Sequence, residues 1–343
     1  MRLLQQGLFS RSVLNMVVSD FLEMPKKMSS SYSVQIISPE EKDKLYQTYE
    51  DRFLYTNKAD IYGCCIKLLT DVERVHNEWE NNFYSMSENT RSHGRLIVLE
   101  EQGQLMTVKY EPLTKTAFLT NVDYYGWIKS IALATAGDIL EDEHQIYSVH
   151  GAAIDFGGTG VSIIAPSGTG KTTHSWGLLR LPNARLVSDD WFFVRLSNRE
   201  PLAFGSEKNF YIEADIAKIW NEYERLVDKA TFDKKGKAVV NVRWIVGNGG
   251  VVPMTTLKKI IMLKRDPEDK NIVTAMNADE ALSYITEHDF CNPHQLVRND
   301  RKTELRKNFF RRLFKQTDVY LVNTTGTPQE TQTEIRQILS IKK

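Results

Sequence analysis

Short apolar runs broken by turn residues, and longer stretches whose apolar positions recur at helical spacing, divide this chain into strands and helices. Val161–Ala165 (VSIIA) is a β-branched run of the kind buried in a sheet, and Pro166–Gly170 ends it. From Lys171 (KTTHSWGLLRL), Trp176, Leu178, Leu179 and Leu181 fall at roughly helical spacing until Pro182 closes the segment. Arg185–Ser188 returns as a strand that ends in Asp189 and Asp190. Further on, LKKIIMLKRD reads as a buried strand, residues 278–315 as largely helical and VYLVNTT as a final strand. Within RNDRKTELRKNFFRRLFK, Leu305, Phe309, Phe310 and Leu313 share one side, which makes the basic run an amphipathic helix on the core. The last helix, TPQETQTEIRQILS, has Thr327 as its cap and Pro328 in its first turn.

Residues 32–143 read as a mixed α+β region without recognisable chemistry. Ser33–Ile37 is a strand, and PEEKDKLYQTYEDRF is a helix with Pro39 in its first turn. ADIYGCCIKLL is a strand, and DVERVHNEWENNF a helix capped by Asp71. RLIVLEE and QLMTVKYE alternate on either side of Gln102-Gly103, which predicts a hairpin, with TKTAFLTNV as a third strand. Tyr124–Leu140 (containing WIKSIALATAGDIL) is a mostly buried helix. Trp79, Phe83, Tyr124, Tyr125 and Trp127 read as core rather than as a stacking platform. His76 and His93 read as surface or satisfied histidines. Residues 1–31 form an extension, either a short terminal helix ending in the MPKKMSSS linker or an Arg- and Ser-bearing transit peptide. The chain therefore divides into 1–31, an α+β region at 32–143 and a second region of strands and helices at 144–343.

Composition narrows the function class. The 343 residues carry 44 Lys plus Arg against 44 Asp plus Glu, so no global field favours nucleic acid or membrane. No apolar run approaches the ~18 residues of a spanning helix. Cys64, Cys65 and Cys291 make an odd set with two adjacent members, which fits neither a disulfide framework nor a zinc pattern. Reduced thiols in a cytoplasmic protein are the simplest account. Oligomeric state is left open, and a homo-oligomer is admissible.

The chemistry concentrates between His150 and Arg195. A loop with Gly168 and Gly170 lets successive backbone N–H groups turn toward one point, and a helix starting near Lys171 aims its positive end there. Lys171 supplies a mobile charge for β/γ-phosphates, and the Thr172 hydroxyl can ligate Mg²⁺. Asp189 and Asp190 offer hard oxygens for the metal, or a base for an attacking hydroxyl. The segment departs from G-x-x-x-x-G-K-[ST] at one position, where Ala165 replaces the first Gly. Downstream, among Glu207, Lys208, Glu213 and Asp215, one acid (Glu207 above all) is a candidate metal ligand, the alternative being a solvated strand end. The charged stretch DKATFDKKGK (Lys234, Lys235, Gly236, Lys237) reads as a surface loop or as a basic flap, with Lys237 or Arg243 supplying transition-state charge.

Three features of this stretch, the pair His150-Gly151 ending a strand before the loop, the loop PSGTGKTT and the strand end SDD, resemble the nucleotide site of the HPr kinase/phosphorylase and phosphoenolpyruvate carboxykinase superfamily. The resemblance covers about 45 residues closely, runs loosely to the C-terminus and does not reach the first 140. It implies an α/β, mixed-sheet P-loop core with an added N-terminal α+β region, and an ATP- and Mg²⁺-dependent kinase, with Mn²⁺ as an alternative metal. It further implies that Ser167, Gly168, Thr169, Gly170, Lys171, Thr172 and Thr173 bind the nucleotide phosphates. Asp189 would accept the proton of the acceptor hydroxyl, Asp190 would act on the metal, and His150 would sit beside the acceptor or bind a second metal. Two departures accompany it: GSEKNFYIEAD stands where the kinases carry an acidic-x-Arg-Gly signature, and the arginine-rich oxaloacetate site of the carboxykinases is not evident. The expected acceptor is an unidentified hydroxyl, on a small molecule in preference to a protein serine. The alternatives are a carboxykinase-type lyase and a nucleotide-binding regulator without turnover.

Overall fold

The computed structural model describes residues 32–339 apart from 206, 209, 214–215, 225–230, 233–236 and 241–242. The extension 1–31, Asp215 and the charged residues Lys234 and Lys235 therefore lie outside the described residues. A compact unit starting at Val34 holds the sheets described next.

The first sheet is built from β1 (Val34–Ile36), β2 (Tyr55–Ile61), β3 (Cys64–Thr70), β4 (Tyr84–Ser85), β5 (Gly94–Leu99), β6 (Thr107–Glu111) and β7 (Thr116–Thr120). Their spatial order is β1-β6-β7-β5-β3-β2-β4. Two expectations fail here. ADIYGCCIKLL is not one strand but the two arms of the β2–β3 hairpin, because Tyr62 and Gly63 take left-handed φ values of 51° and 77° and reverse the chain. RLIVLEE and QLMTVKYE do not pair: β7 inserts between them, parallel to β5 and antiparallel to β6. Of the helices, α1 (Pro39–Tyr49) is capped by Ser38 and α2 (Glu73–Asn82) follows β3. Asp71 does not cap α2; its carboxylate takes Arg52 and the Glu100 N–H instead.

Helix α3 (Tyr125–His144) packs against β3, β5 and β7 of this sheet and against β8 (Ile146–Phe156) of the next. Being covered on both sides explains why nearly all of its residues, charged ones included, are buried. The second sheet adds β9 (Thr159–Ile164), β10 (Ala184–Ser188), β11 (Trp191–Arg195), β12 (Leu202–Phe204), β16 (Met254–Lys264), β17 (Val273–Met276) and β18 (Asp318–Asn323). A small separate sheet holds β13 (Phe210–Glu213), β14 (Thr231–Phe232) and β15 (Lys237–Val240).

Strand β16 shows the layering. Ile261 and Leu263 face a core shared with Trp176 and Leu178 of α4 (Lys171–Leu179) and Ile335 of α9 (Pro328–Ile338). Ile260 and Met262 face the opposite core, closed by Ile285 of α7 (Ala278–Glu287) and Phe309, Phe310 and Leu313 of α8 (Asp300–Lys315). A strand alternates its side chains between faces, so a sheet covered by helices on both sides must be apolar on both. The short helices α5 (Ile216–Ile219) and α6 (Arg243–Val246) lie between β12 and β16 in sequence. The chain is thus a mixed α/β protein, and among the described residues no helix is long and apolar enough to cross a membrane.

Candidate active site

The two aspartates sit in a break in a strand. β11 pairs with Ile146–His150 of β8, and β10 pairs with Ala153–Phe156 of the same strand. β10 and β11 therefore lie along one side of β8, interrupted at Asp189-Asp190, and the Asp190 carbonyl accepts the Gly151 N–H at 3.0 Å. The expectation that His150-Gly151 ends a strand is corrected: the pair is mid-strand, because β8 runs on to Phe156 against β9. His150 lies where the neighbour of β8 changes from β11 to β10. Gly151 is tied to the same spot, since a Cβ there would stand 2.8 Å from the Ile163 carbonyl.

On the other side of β9 the loop reaches α4. Gly168 and Gly170 have φ of 81° and 100°, values a glycine takes without a Cβ clash. Gly170 is the N-cap and offers no side chain, so the first-turn N–H groups of α4 keep no capping partner from it. Ser167 and Gly168 are exposed, and Thr169 through Thr173 are half-buried. Thr169 is fixed from two sides: its hydroxyl donates to the Pro166 carbonyl at 2.8 Å, and its carbonyl accepts from the Thr324 hydroxyl at 2.9 Å.

Lys171 crosses from the helix start to the acids. Its Nζ lies 2.5 Å from Asp190 Oδ1 and 3.2 Å from the Asp189 carbonyl. His150 Nε2 lies 3.3 Å from the same Asp190 oxygen. Asp190 Oδ2 faces Lys129 of α3 at 3.4 Å, and Lys129 continues to Glu207 Oε1 at 3.2 Å. Glu207 also accepts from Asn82 of α2 at 3.3 Å. The structure thus gathers Lys171, Asp189, Asp190, His150 and Glu207 around one point, and adds two residues that sequence reasoning assigned to a region without chemistry, Lys129 and Asn82. One signal was there to find. A lone lysine in WIKSIALATAGDIL must be buried if the helix is, and a buried ammonium needs carboxylate partners.

Burial and neighbouring charges push the acids in different directions. Burial, reinforced by the Asp190 charge and opposed by Lys129 and Lys171, pushes the Asp189 carboxyl up to about 7. Its Oδ1 is buried without a hydrogen-bond partner among the described residues. Burial also opposes ionisation of Asp190, but Lys171 and Lys129, with His150, hold it well below the usual carboxylate range. Glu207 is raised by burial against the pull of Lys129, and its Oε2 too lacks a partner among the described residues. His294, whose ring stands 5.8 Å from that of His150, is pushed down to about 3 by burial and by the His150 charge.

Such a donor set suits a hard cation that keeps much of its water and shares phosphate oxygens. Among the described residues no group of three His, Cys, Asp or Glu side chains is placed to hold a metal by itself. Magnesium characteristically needs only one or two protein oxygens beside its phosphates and waters. The Thr172 hydroxyl, the Asp190 carboxylate and the orphaned Glu207 oxygen are of the right kind. Arg243, a candidate for transition-state charge, donates to the carbonyl of Lys208, the residue after Glu207, at 3.1 Å and to the Tyr84 hydroxyl at 2.8 Å. The side chains of Glu213 and Lys237 lie outside what is described.

Gly205 sets the approach of Glu207. Its N–H donates to the Pro253 carbonyl at 3.1 Å, and a Cβ there would overlap the Val187 carbonyl oxygen two residues before Asp189. Gly205→Ala is expected to cost roughly 1–3 kcal/mol through the forced backbone shift, measured by urea unfolding. A variant as stable as the parent would show that the two loops are not in close contact.

No protein-family model and no curated protein matches the chain. Among solved structures it is similar to the Hpr(Ser) kinase/phosphatase from Coxiella burnetii, at 12% sequence identity and a TM-score of 0.32, over 56% of this chain and 96% of that one.

Proposed function

We propose that this chain is an ATP- and Mg²⁺-dependent phosphotransferase that moves the γ-phosphoryl group to a hydroxyl acceptor, a small molecule in preference to a protein serine. The observation that carries this reading is the convergence of a glycine-shaped loop at a helix start, Lys171, and two adjacent acids whose surroundings push their carboxyls in opposite directions. Phosphoryl transfer asks for positioning and charge neutralisation more than for covalent chemistry.

In this reading the loop 167–173 orients the triphosphate, and Lys171 leaves Asp190 to reach the β/γ-phosphates. Magnesium, when bound, neutralises phosphate charge, with Thr172, Asp190 and Glu207 as its protein donors. Asp189 takes the acceptor's hydroxyl proton as the new O–P bond forms and the bond from the γ-phosphorus to the β-γ bridging oxygen breaks, releasing ADP. A carboxyl poised near 7 is suited to that role, since a base works best near the operating pH. His150 stands beside Asp190 and flanks the acceptor. Buried free thiols at Cys64, Cys65 and Cys291 support a reducing, cytoplasmic setting.

The test is a ³²P-ATP transfer screen against a panel of hydroxyl metabolites and cell extract, with Lys171→Ala in parallel. Label is expected on a small molecule with the parent chain and on nothing with the variant, which should also lose nucleotide binding. Equal labelling by both proteins, or no labelled acceptor together with no bound nucleotide, would sink the reading.

A further inference from the structure

Between α7 and α8 the chain makes a turn that its residues resist. Asp289, Phe290 and Cys291 have φ of 51°, 53° and 51°, three successive left-handed positions and none of them glycine. Each carries a Cβ that crowds its own backbone there, so a run of three persists only where the surroundings hold it. They do hold it: the Cys291 N–H donates to the His288 carbonyl at 2.9 Å and the Asn292 N–H to the Asp289 carbonyl at 3.0 Å. Arg298 braces the turn, pairing with Asp289 at 2.5 Å and donating to the Asn292 carbonyl at 3.1 Å. Phe290 is buried and stacks on Phe310.

The product of the turn is one carbonyl. The Cys291 oxygen lies 2.7 Å from His150 Nδ1, across 141 residues of sequence. A carbonyl oxygen only accepts, so Nδ1 must carry the hydrogen. Nε2 is then the atom that faces Asp190, at 3.3 Å. The rings of Trp191 and His294, at 6.0 and 5.8 Å, flank the imidazole.

We propose that the left-handed turn Asp289–Cys291 is a positioning device that keeps a hydrogen on His150 Nδ1 and so presents Nε2 to Asp190. Its kinetic consequence rests on the phosphotransferase reading; the protonation of Nδ1 does not. The turn acts through His150 and touches no substrate.

Two substitutions at the exposed Asp289 separate backbone shape from side-chain loss, since both remove the pair with Arg298. Asp289→Gly accepts the left-handed φ, whereas Asp289→Pro is locked near about −65°. Imidazole ¹⁵N NMR, with His150 assigned by its loss in His150→Gln, is expected to show Nδ1–H in the parent chain and in the glycine variant. The proline variant should lose that signature and drop kcat roughly 10- to 100-fold with nucleotide Kd unchanged, the scale of a misplaced reacting group, while the glycine variant keeps the parental kcat. A parent chain whose His150 Nδ1 carries no hydrogen overturns the proposal, as does a proline variant that keeps the parental ¹⁵N signature. If the proline variant fails to fold, the protonation of Nδ1 in the parent chain alone decides. If no acceptor is ever labelled, the NMR result still stands or falls by itself.

Discussion

Asp189→Asn is expected to lower turnover roughly 10²- to 10⁴-fold, the usual worth of a positioned general base, while leaving nucleotide affinity within about twofold. The amide matches the carboxyl in shape, so the strand break and the loop have no reason to move. It cannot take a proton, so the acceptor hydroxyl stays unactivated. Stability gives an independent check. Asp189 is buried beside Asp190 with one oxygen lacking a partner among the described residues, and a neutral amide relieves that cost. Turnover lost together with equal or higher stability is the pattern expected of a strained functional carboxylate. Steady-state kinetics, calorimetric nucleotide binding and urea unfolding measure the three quantities. An asparagine variant that turns over at the parental rate would remove Asp189 from the base role.

Lys302→Met should cost about 3–5 kcal/mol of folding stability, the range for stripping one partner from a buried ion-pair network. Lys302 of α8 is 2% exposed, with Nζ 2.7 Å from Asp138, 3.1 Å from Glu141 and 2.8 Å from Asp142, all on α3. Lys115 joins Asp138 and Asp142, Arg306 joins Glu141, and the Tyr110 hydroxyl donates to Asp138. Methionine fills the volume but leaves three carboxylates short of a cation where water cannot replace it. The network ties α8, Tyr110 of β6 and Lys115 of the turn before β7 to α3, the helix that also carries Lys129 to the acids, so the loss should be cooperative. Urea unfolding checks it, and a loss under about 1 kcal/mol would show the carboxylates to be solvated. The same cluster sets an acid limit. Burial works against ionised Asp142, but Lys115, Lys302 and Arg301 lower its carboxyl below the ordinary range. Its contribution is therefore complete above the unfolded carboxylate range and is lost as pH falls below it.

What could be read from the chain alone was whatever its neighbours in sequence decide. The strand read at Val161–Ala165 (observed as Thr159–Ile164), the glycine loop, the helix from Lys171 and the Thr327 cap of the last helix all follow from local periodicity, φ freedom or a side chain reaching its own backbone. The nucleotide side of the candidate site belongs to this class, being one contiguous segment.

Pairing and convergence were decided elsewhere. The hairpin expected at Gln102-Gly103 lost to β7, since alternation marks a strand but not its partner. Asp189-Asp190 read as a strand end because only the tertiary pairing with β8 shows the strand resuming beyond them. Lys129 reaches Asp190 across 61 residues, Asn82 reaches Glu207 across 125, and the Cys291 carbonyl reaches His150 across 141. Sequence by itself set the glycine loop and the strand and helix pattern around it, because short-range sterics and hydrogen bonding suffice for those. Only the tertiary structure brought Lys129, Glu207 and the left-handed turn to the aspartates, because a buried charge finds its partner through packing between distant segments.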